Sequence, residues 1–307
     1  MSLARLLLLR ASRSPWLADQ LRRRAFFRRA VRRFLPGEDL GAALAAAAEF
    51  ARGGLGSVLT QLGEQVRNRA EAIAVRDHYL GVLAAVRQRK LPTQLSVKLT
   101  HLGLEVDRGA CEQAVEALAA RAADSGSFLW IDMEESRYVD VTLELFRAVR
   151  AERPNVGVCL QAYLRRTPQD LARLLPLGPA IRLVKGAYNE PAHVAFSSKR
   201  EVDRCYAMLA DQLVEEAARG RARPAFGTHD LGLITQIRER AERHNTPRQA
   251  YEIHMLYGIK AAAQRALRAD GYAVRVLISY GTAWFAWYMR RLAERPANLW
   301  FVVKNLV

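Results

Sequence analysis

Cysteine is scarce in this sequence: Cys111, Cys159 and Cys205 are the only three among 307 residues, and they stand far apart. With no Cys-x-x-Cys pair there is neither a disulfide framework nor a cysteine-based metal site, and a reducing compartment is expected. Long apolar runs are also missing. Nothing approaches the ~20 residues that cross a bilayer, and the run Leu6 to Leu9 is too short for the apolar stretch of a secretory signal. Three motifs are absent as well. There is no Gly-x-Gly-x-x-Gly after any strand-like segment, which argues against an open dinucleotide-binding sheet. Without Gly-x-Ser-x-Gly a serine hydrolase has no support. His229, Asp230 and His254 complete no ligand set and no His-x-x-x-His occurs, so no metal is expected. Lysine is rare too: six of the 47 basic residues are Lys, which leaves 41 Arg.

What is present points to a folded, charged protein. Half of the residues are apolar and a quarter are charged, too apolar for disorder and too charged for a membrane bundle. At ~150 residues per domain the length suggests two domains, but α/β barrels fill it as one. The net charge of +16 is unevenly spread, because residues 1–35 hold ten Arg against the single acid Asp19. Leu17, Leu21, Ala25, Phe26, Val31 and Phe34 recur there at near-helical spacing, which reads as a basic amphipathic arm. The start resembles an organellar transit peptide in composition, yet its amphipathic character continues to Phe34 without a processing-like break, so a structured arm is expected. Such an arm suits an anionic surface, although a solvated Arg-rich helix face has the same composition. Phe26, Phe27 and Phe34 fall at helical spacing, which favours a membrane interface over nucleic-acid stacking. The arm is expected over 1–52, ending in an Ala-rich helix from Ala42 to Arg52 with Asp39 as its cap, and a catalytic domain over 53–307.

From Leu55 onward short apolar segments recur at 55–61, 94–99, 128–133, 156–161, 180–185, 224–228, 251–255 and 274–279. Helical periodicity lies between most of them, at 107–123, 139–151, 168–175 and 201–218, and then at 231–244, 259–269 and 284–293. The strand-like pieces lack strict alternation, as strands buried on both faces should. Eight such units over ~250 residues predict an α/β fold, a (β/α)8 barrel preceded by a helical arm.

A barrel works at the C-terminal ends of its strands. Lys98, Asp132, Glu134, Gln161, Tyr163, Arg182, Lys185, Tyr188, Thr228, His229, Asp230 and His254 all fall there. Any one alone reads as a structural ion pair or hydrogen bond; polar groups at nearly every strand end point to a site. Two lysines at strand ends, Lys98 and Lys185, also leave open a Schiff-base aldolase. Arg290 and Arg291 follow the aromatic run Trp284-Phe285-Ala286-Trp287-Tyr288 and would make a fork for a carboxylate or phosphate.

The segments Leu95-Ser-Val-Lys-Leu99, Ile131-Asp-Met-Glu-Glu-Ser-Arg-Tyr138, Leu160-Gln-Ala-Tyr-Leu164, Arg182-Leu-Val-Lys-Gly-Ala-Tyr188, Gly227-Thr-His-Asp230, Met255-Leu-Tyr-Gly258 and Met289-Arg-Arg-Leu-Ala-Glu-Arg-Pro-Ala-Asn298 stand in order. Together they resemble the FAD-dependent proline dehydrogenase family in its bacterial monofunctional form. The resemblance implies a distorted (β/α)8 barrel holding FAD non-covalently. It also implies oxidation of L-proline to Δ1-pyrroline-5-carboxylate, with electrons passed to a membrane quinone; taken with the basic arm, a cytoplasmic protein peripheral to the inner membrane is expected.

By the same resemblance Lys98 and Asp132 line the substrate pocket, Arg290 and Arg291 clamp the substrate carboxylate, and Tyr188 and Leu256 are pocket walls. Asp132, Gln161, Arg182, Lys185, Gly186, Ala187, Thr228 and His229 match positions around the flavin, and Glu64 matches the acid that pairs with the first clamp Arg as a gate. Three positions depart from the family pattern. Leu277 and Trp287 each stand where Tyr is usual, and His254 where Gln is usual. These changes at the pocket allow a modified proline or another cyclic amino acid as substrate.

Overall fold

The computed structural model describes residues 31, 33–63, 65–285 and 288. Eight parallel strands close into a barrel in sequence order: β1 Gly56–Gln61, β2 Thr93–Val97, β3 Leu129–Ile131, β4 Val156–Gln161, β5 Ala180–Val184, β6 Arg223–Gly227, β7 Glu252–Leu256 and β8 Ala273–Tyr280. β8 returns to β1 over six register pairs, Gly56 against Arg275 through Gln61 against Tyr280. All eight expected strands are present, each within a few residues of its expected bounds. The helices are α1 Leu40–Arg52, α2 Arg69–Gln88, α3 Arg108–Asp124, α4 Val139–Glu152, α5 Thr167–Leu174, α6 Lys199–Ala218, α7 Leu231–Arg243 and α8 Ala261–Ala269. Sequence periodicity did not single out α2. The last helix starts at Ala261 rather than Ile259 because Lys260, its cap, is left-handed at φ 51°. The helix expected over 284–293 is described only at Trp284, Phe285 and Tyr288.

Alternation along each strand divides the core in two. Leu59, Leu95, Val97, Ile131, Leu183, Val276 and Ile278 face the helices and join one large cluster. Val58, Phe128, Trp130, Ala180 and Ala225, with Leu277 packed against them, fill the barrel interior. Trp130 dominates that interior, and β4 answers it with Gly157, where a Cβ would lie 2.5 Å from the indole ring. Large and small residues on neighbouring strands therefore fit one interior of fixed volume.

Asp39 caps α1 by accepting from the Ala42 N–H at 2.9 Å. Its buried face is almost all alanine, Ala43, Ala46 and Ala47 with Leu44, and it packs on β1 and β8. The helix expected to close the arm is thus part of the barrel wall. It runs antiparallel to the strands, since Gly54 at its end lies against Arg268 near the base. At its start, Glu38 accepts from the Trp284 indole N–H at 2.7 Å, and the Arg33 backbone lies on Gly258, where a Cβ would overlap the Arg33 carbonyl. The described chain enters beside the strand C-termini.

Candidate active site

Most of the expected site residues meet at one mouth. Lys98 follows β2 and Asp132 follows β3. They are neighbours, because Val97 pairs with Ile131 and the Asp132 N–H donates to the Val97 carbonyl at 2.8 Å. Gln161 ends β4 and Arg182 lies within β5. Lys185, Gly186, Ala187 and Tyr188 form the turn after β5, Thr228 and His229 follow β6, and Leu256 ends β7 beside Leu277 of β8. Asp132, Lys98, His229, Leu256 and Leu277 remain partly open, whereas Trp130, Ala180 and Ala225 beneath them are fully buried. Glu64, Trp287, Arg290 and Arg291 lie outside the described residues, as does the basic arm through residue 30.

The centre of the mouth is a charged cluster. The Arg182 guanidinium pairs with Asp132 and donates to Ser96 Oγ at 2.8 Å, and Ser96 donates to Asp132 at 2.9 Å. Burial disfavours the Arg182 charge, but Asp132 beside it reverses the balance and the guanidinium pKa is raised. Arg182 lies over the Trp130 ring, 5.3 Å from its centroid. Arg182 Nη1 and Gln161 Oε1 are among the buried polar atoms here that make no hydrogen bond within the described residues. A donor and an acceptor so placed are open to a ligand.

Other candidates hold the frame. Glu134 is buried and accepts from both the N–H and the hydroxyl of Thr100, at 3.1 and 2.6 Å, which ties the loops after β2 and β3 together. Asp230 caps α7 through the Leu233 N–H and pairs with Lys185 at 3.1 Å; Lys185 also pairs with Asp203 at 2.6 Å. Burial raises the Asp203 and Asp230 carboxyls, yet Lys185 brings both below their ordinary value. Tyr163 packs its ring on Gly186, whose φ of 110° and lack of Cβ permit the contact. Thr228 Oγ1 accepts from the Asp230 N–H at 3.1 Å, and His229 Nε2 accepts from the Leu256 N–H at 3.4 Å.

His254 is in the interior, donating to Glu252 at 2.9 Å. Glu252 also receives Arg223 and Arg275, each at 3.0 Å. Burial alone would raise the Glu252 carboxyl; the His254 hydrogen bond and the two guanidiniums hold it well below the carboxylate range. Burial pushes His254 down, against the pull of Glu252.

Ser96, Gln94, Trp130 and Glu252 went unnoticed in the sequence, although the two-residue strand period places Gln94, Ser96 and Lys98, and likewise Trp130 and Asp132, on one face. Among the described residues no cluster of three His, Cys, Asp or Glu forms a metal site.

Comparison with known proteins agrees with this geometry. Residues 43–304 match the family model described as "Proline dehydrogenase". The chain is 34% identical over 277 residues to Proline dehydrogenase 1 of Bacillus subtilis, covering 90% of each. It is 35% identical over 294 residues to Proline dehydrogenase of Deinococcus radiodurans, covering 94% of this chain and 93% of that protein. Among solved structures, proline utilization A (PutA) of Bdellovibrio bacteriovorus, inactivated by N-propargylglycine, superposes with a TM-score of 0.81 at 22% identity over 94% of this chain. The present chain spans 36% of that longer protein, and the likeness concerns the fold. From the family match and the two bacterial relatives, the chain belongs to the proline dehydrogenase family.

Proposed function

We propose that the chain oxidises L-proline to Δ1-pyrroline-5-carboxylate with FAD bound at the mouth, and that the electrons leave to a quinone. The observation that carries this reading is the Asp132–Arg182–Ser96 cluster with its unpartnered Arg182 Nη1 and Gln161 Oε1. A flavin edge presents both N–H and carbonyl groups, so a buried cationic donor beside a buried acceptor fits it. When bound, FAD accepts a hydride from the carbon next to the amine, and the protein supplies position and charge.

In this reading Gln161 and Arg182 hold the flavin, with Gly186, Ala187, Thr228 and His229 around it. Arg182 offers positive charge that favours a reduced, anionic flavin. Lys185 is assigned to the same group, where a diphosphate would compete with Asp203 and Asp230 for its ammonium. Lys98 and Asp132 set the electrostatics at the substrate, and Tyr188, Leu256, Leu277 and Trp287 wall its ring. Arg290 and Arg291 clamp the carboxylate, which fixes the reacting carbon and rejects analogues lacking the carboxylate. Glu64 gates the clamp by pairing with Arg290.

We assign the protein to the cytoplasm and to the periphery of the inner membrane, where a quinone is found. Support comes from the +9 formal charge of residues 1–35 and from the entry of the described chain beside the mouth. Among the described residues no helix is long and apolar enough to cross a membrane.

The test is turnover of the FAD-loaded protein with L-proline and a soluble quinone, the product being trapped with 2-aminobenzaldehyde. The coloured adduct is expected from L-proline. An adduct from a ring-substituted proline alone would assign the Leu277 pocket to that substrate. No adduct from any cyclic amino acid would overturn the proposal.

A further inference from the structure

The barrel interior below the mouth is a continuous stack rather than inert filling. At its base Glu252 gathers Arg223, Arg275 and His254. Gln94 Nε2 reaches Glu252 at 3.4 Å, and Gln94 Oε1 accepts from the Trp130 indole N–H at 2.6 Å. The His254 ring meets Trp130 edge-on at 5.6 Å, and Gly157 leaves no gap on the β4 side. The indole is therefore held from several directions, with a relative exposure of 0%. Arg182 rests on it. A guanidinium is planar, and a ring beneath it restricts the tilt of that plane. Ser96 and Asp132 engage one amino group, Nη2; the other, Nη1, is buried and without a partner among the described residues.

We propose that Trp130 is a positioning residue for Arg182: anchored through Gln94 to the buried charge of Glu252, it sets the plane in which the guanidinium presents its unpartnered edge to the flavin. The inference rests on the flavin reading above. It explains why a large aromatic residue that donates a hydrogen bond sits two residues before Asp132. An apolar residue of similar volume fills the space but lacks both the anchor and the cationic stacking surface.

The experiment compares wild-type holoenzyme with Trp130→Leu, Trp130→Phe and Gln94→Leu. The flavin midpoint potential is measured by photoreduction against a reference dye, which needs no proline. Trp130→Leu is expected to shift the reduced-to-oxidised equilibrium about tenfold toward oxidised flavin, about 30 mV for a two-electron couple. Gln94→Leu moves it in the same direction, and Trp130→Phe, which keeps a ring beneath Arg182, restores part of the loss. The rate of flavin reduction by L-proline falls in the same order, with little change in KM. A merely structural Trp130 would lower the melting temperature and leave the potential unchanged. That result in the folded Gln94→Leu and Trp130→Phe proteins overturns the proposal even if Trp130→Leu does not fold. If wild-type protein takes up no FAD, the flavin reading itself fails. Positioning is then decided in flavin-free crystals, where Arg182 leaving Ser96 in Gln94→Leu supports it and Arg182 staying in place overturns it.

Discussion

Arg182 occupies a position that few arginines tolerate, buried in a barrel interior among the Asp132 carboxylate, the Ser96 hydroxyl, the Trp130 ring and the Cys159 thiol. Taking a guanidinium out of water costs several kcal/mol, which only a close counter-charge offsets. Removing that counter-charge therefore has a large effect: Asp132→Ala is expected to destabilise the flavin-free protein by about 3 kcal/mol in urea unfolding. An unchanged unfolding midpoint would show that Ser96 alone satisfies Arg182. Asp132 and Arg182 were legible in the sequence because a charge within or just after an apolar run stands out. Ser96 and Trp130 were not, since a small hydroxyl and an indole inside such a run read as ordinary core. Their importance appears only when the closed barrel brings β2, β3 and β5 around one axis.

Elements differ in how plainly they announce themselves. The strands are largely buried on both faces and were all visible in sequence. The helix α2 buries only Ala72, Tyr79, Val82, Leu83 and Val86 among its 20 residues, so its apolar stripe is thin. In β7, the sequence singled out His254 and passed over Glu252, but the two form a single buried pair. That pairing has a pH signature. Burial pushes His254 down from its ordinary 6.5 to about 4 in the folded chain. Between those values the unfolded chain binds a proton that the folded chain refuses. Stability is therefore expected to fall as pH drops from 6.5 toward 4, by up to ~1.4 kcal/mol per pH unit. Glu252, whose pKa is depressed, adds a second loss below its ordinary value of 4.5. His254→Gln should flatten the first segment and keep the second, as read from melting temperature against pH. The same slope in the variant would place the proton elsewhere.

At the scale of the whole molecule, closure of the sheet turns separate strand ends into a ring, and α1 seals the seam between β1 and β8. Barrel and mouth were legible from rhythm alone. The carboxylate clamp at Arg290 and Arg291 rests on resemblance, because those residues lie outside the described part of the chain. The described chain begins beside the mouth, and the charge of residues 1–35 is strongly basic. Cosedimentation with anionic vesicles is accordingly expected at low salt and should weaken steeply as salt rises; equal binding to neutral vesicles would contradict an electrostatic arm. The central claim, however, is the reaction. Its most direct measurement is the visible spectrum of the FAD-loaded protein as L-proline is added without oxygen. Bleaching of the flavin bands in proportion to proline is the predicted result. Flavin bands that persist through excess L-proline would contradict the account.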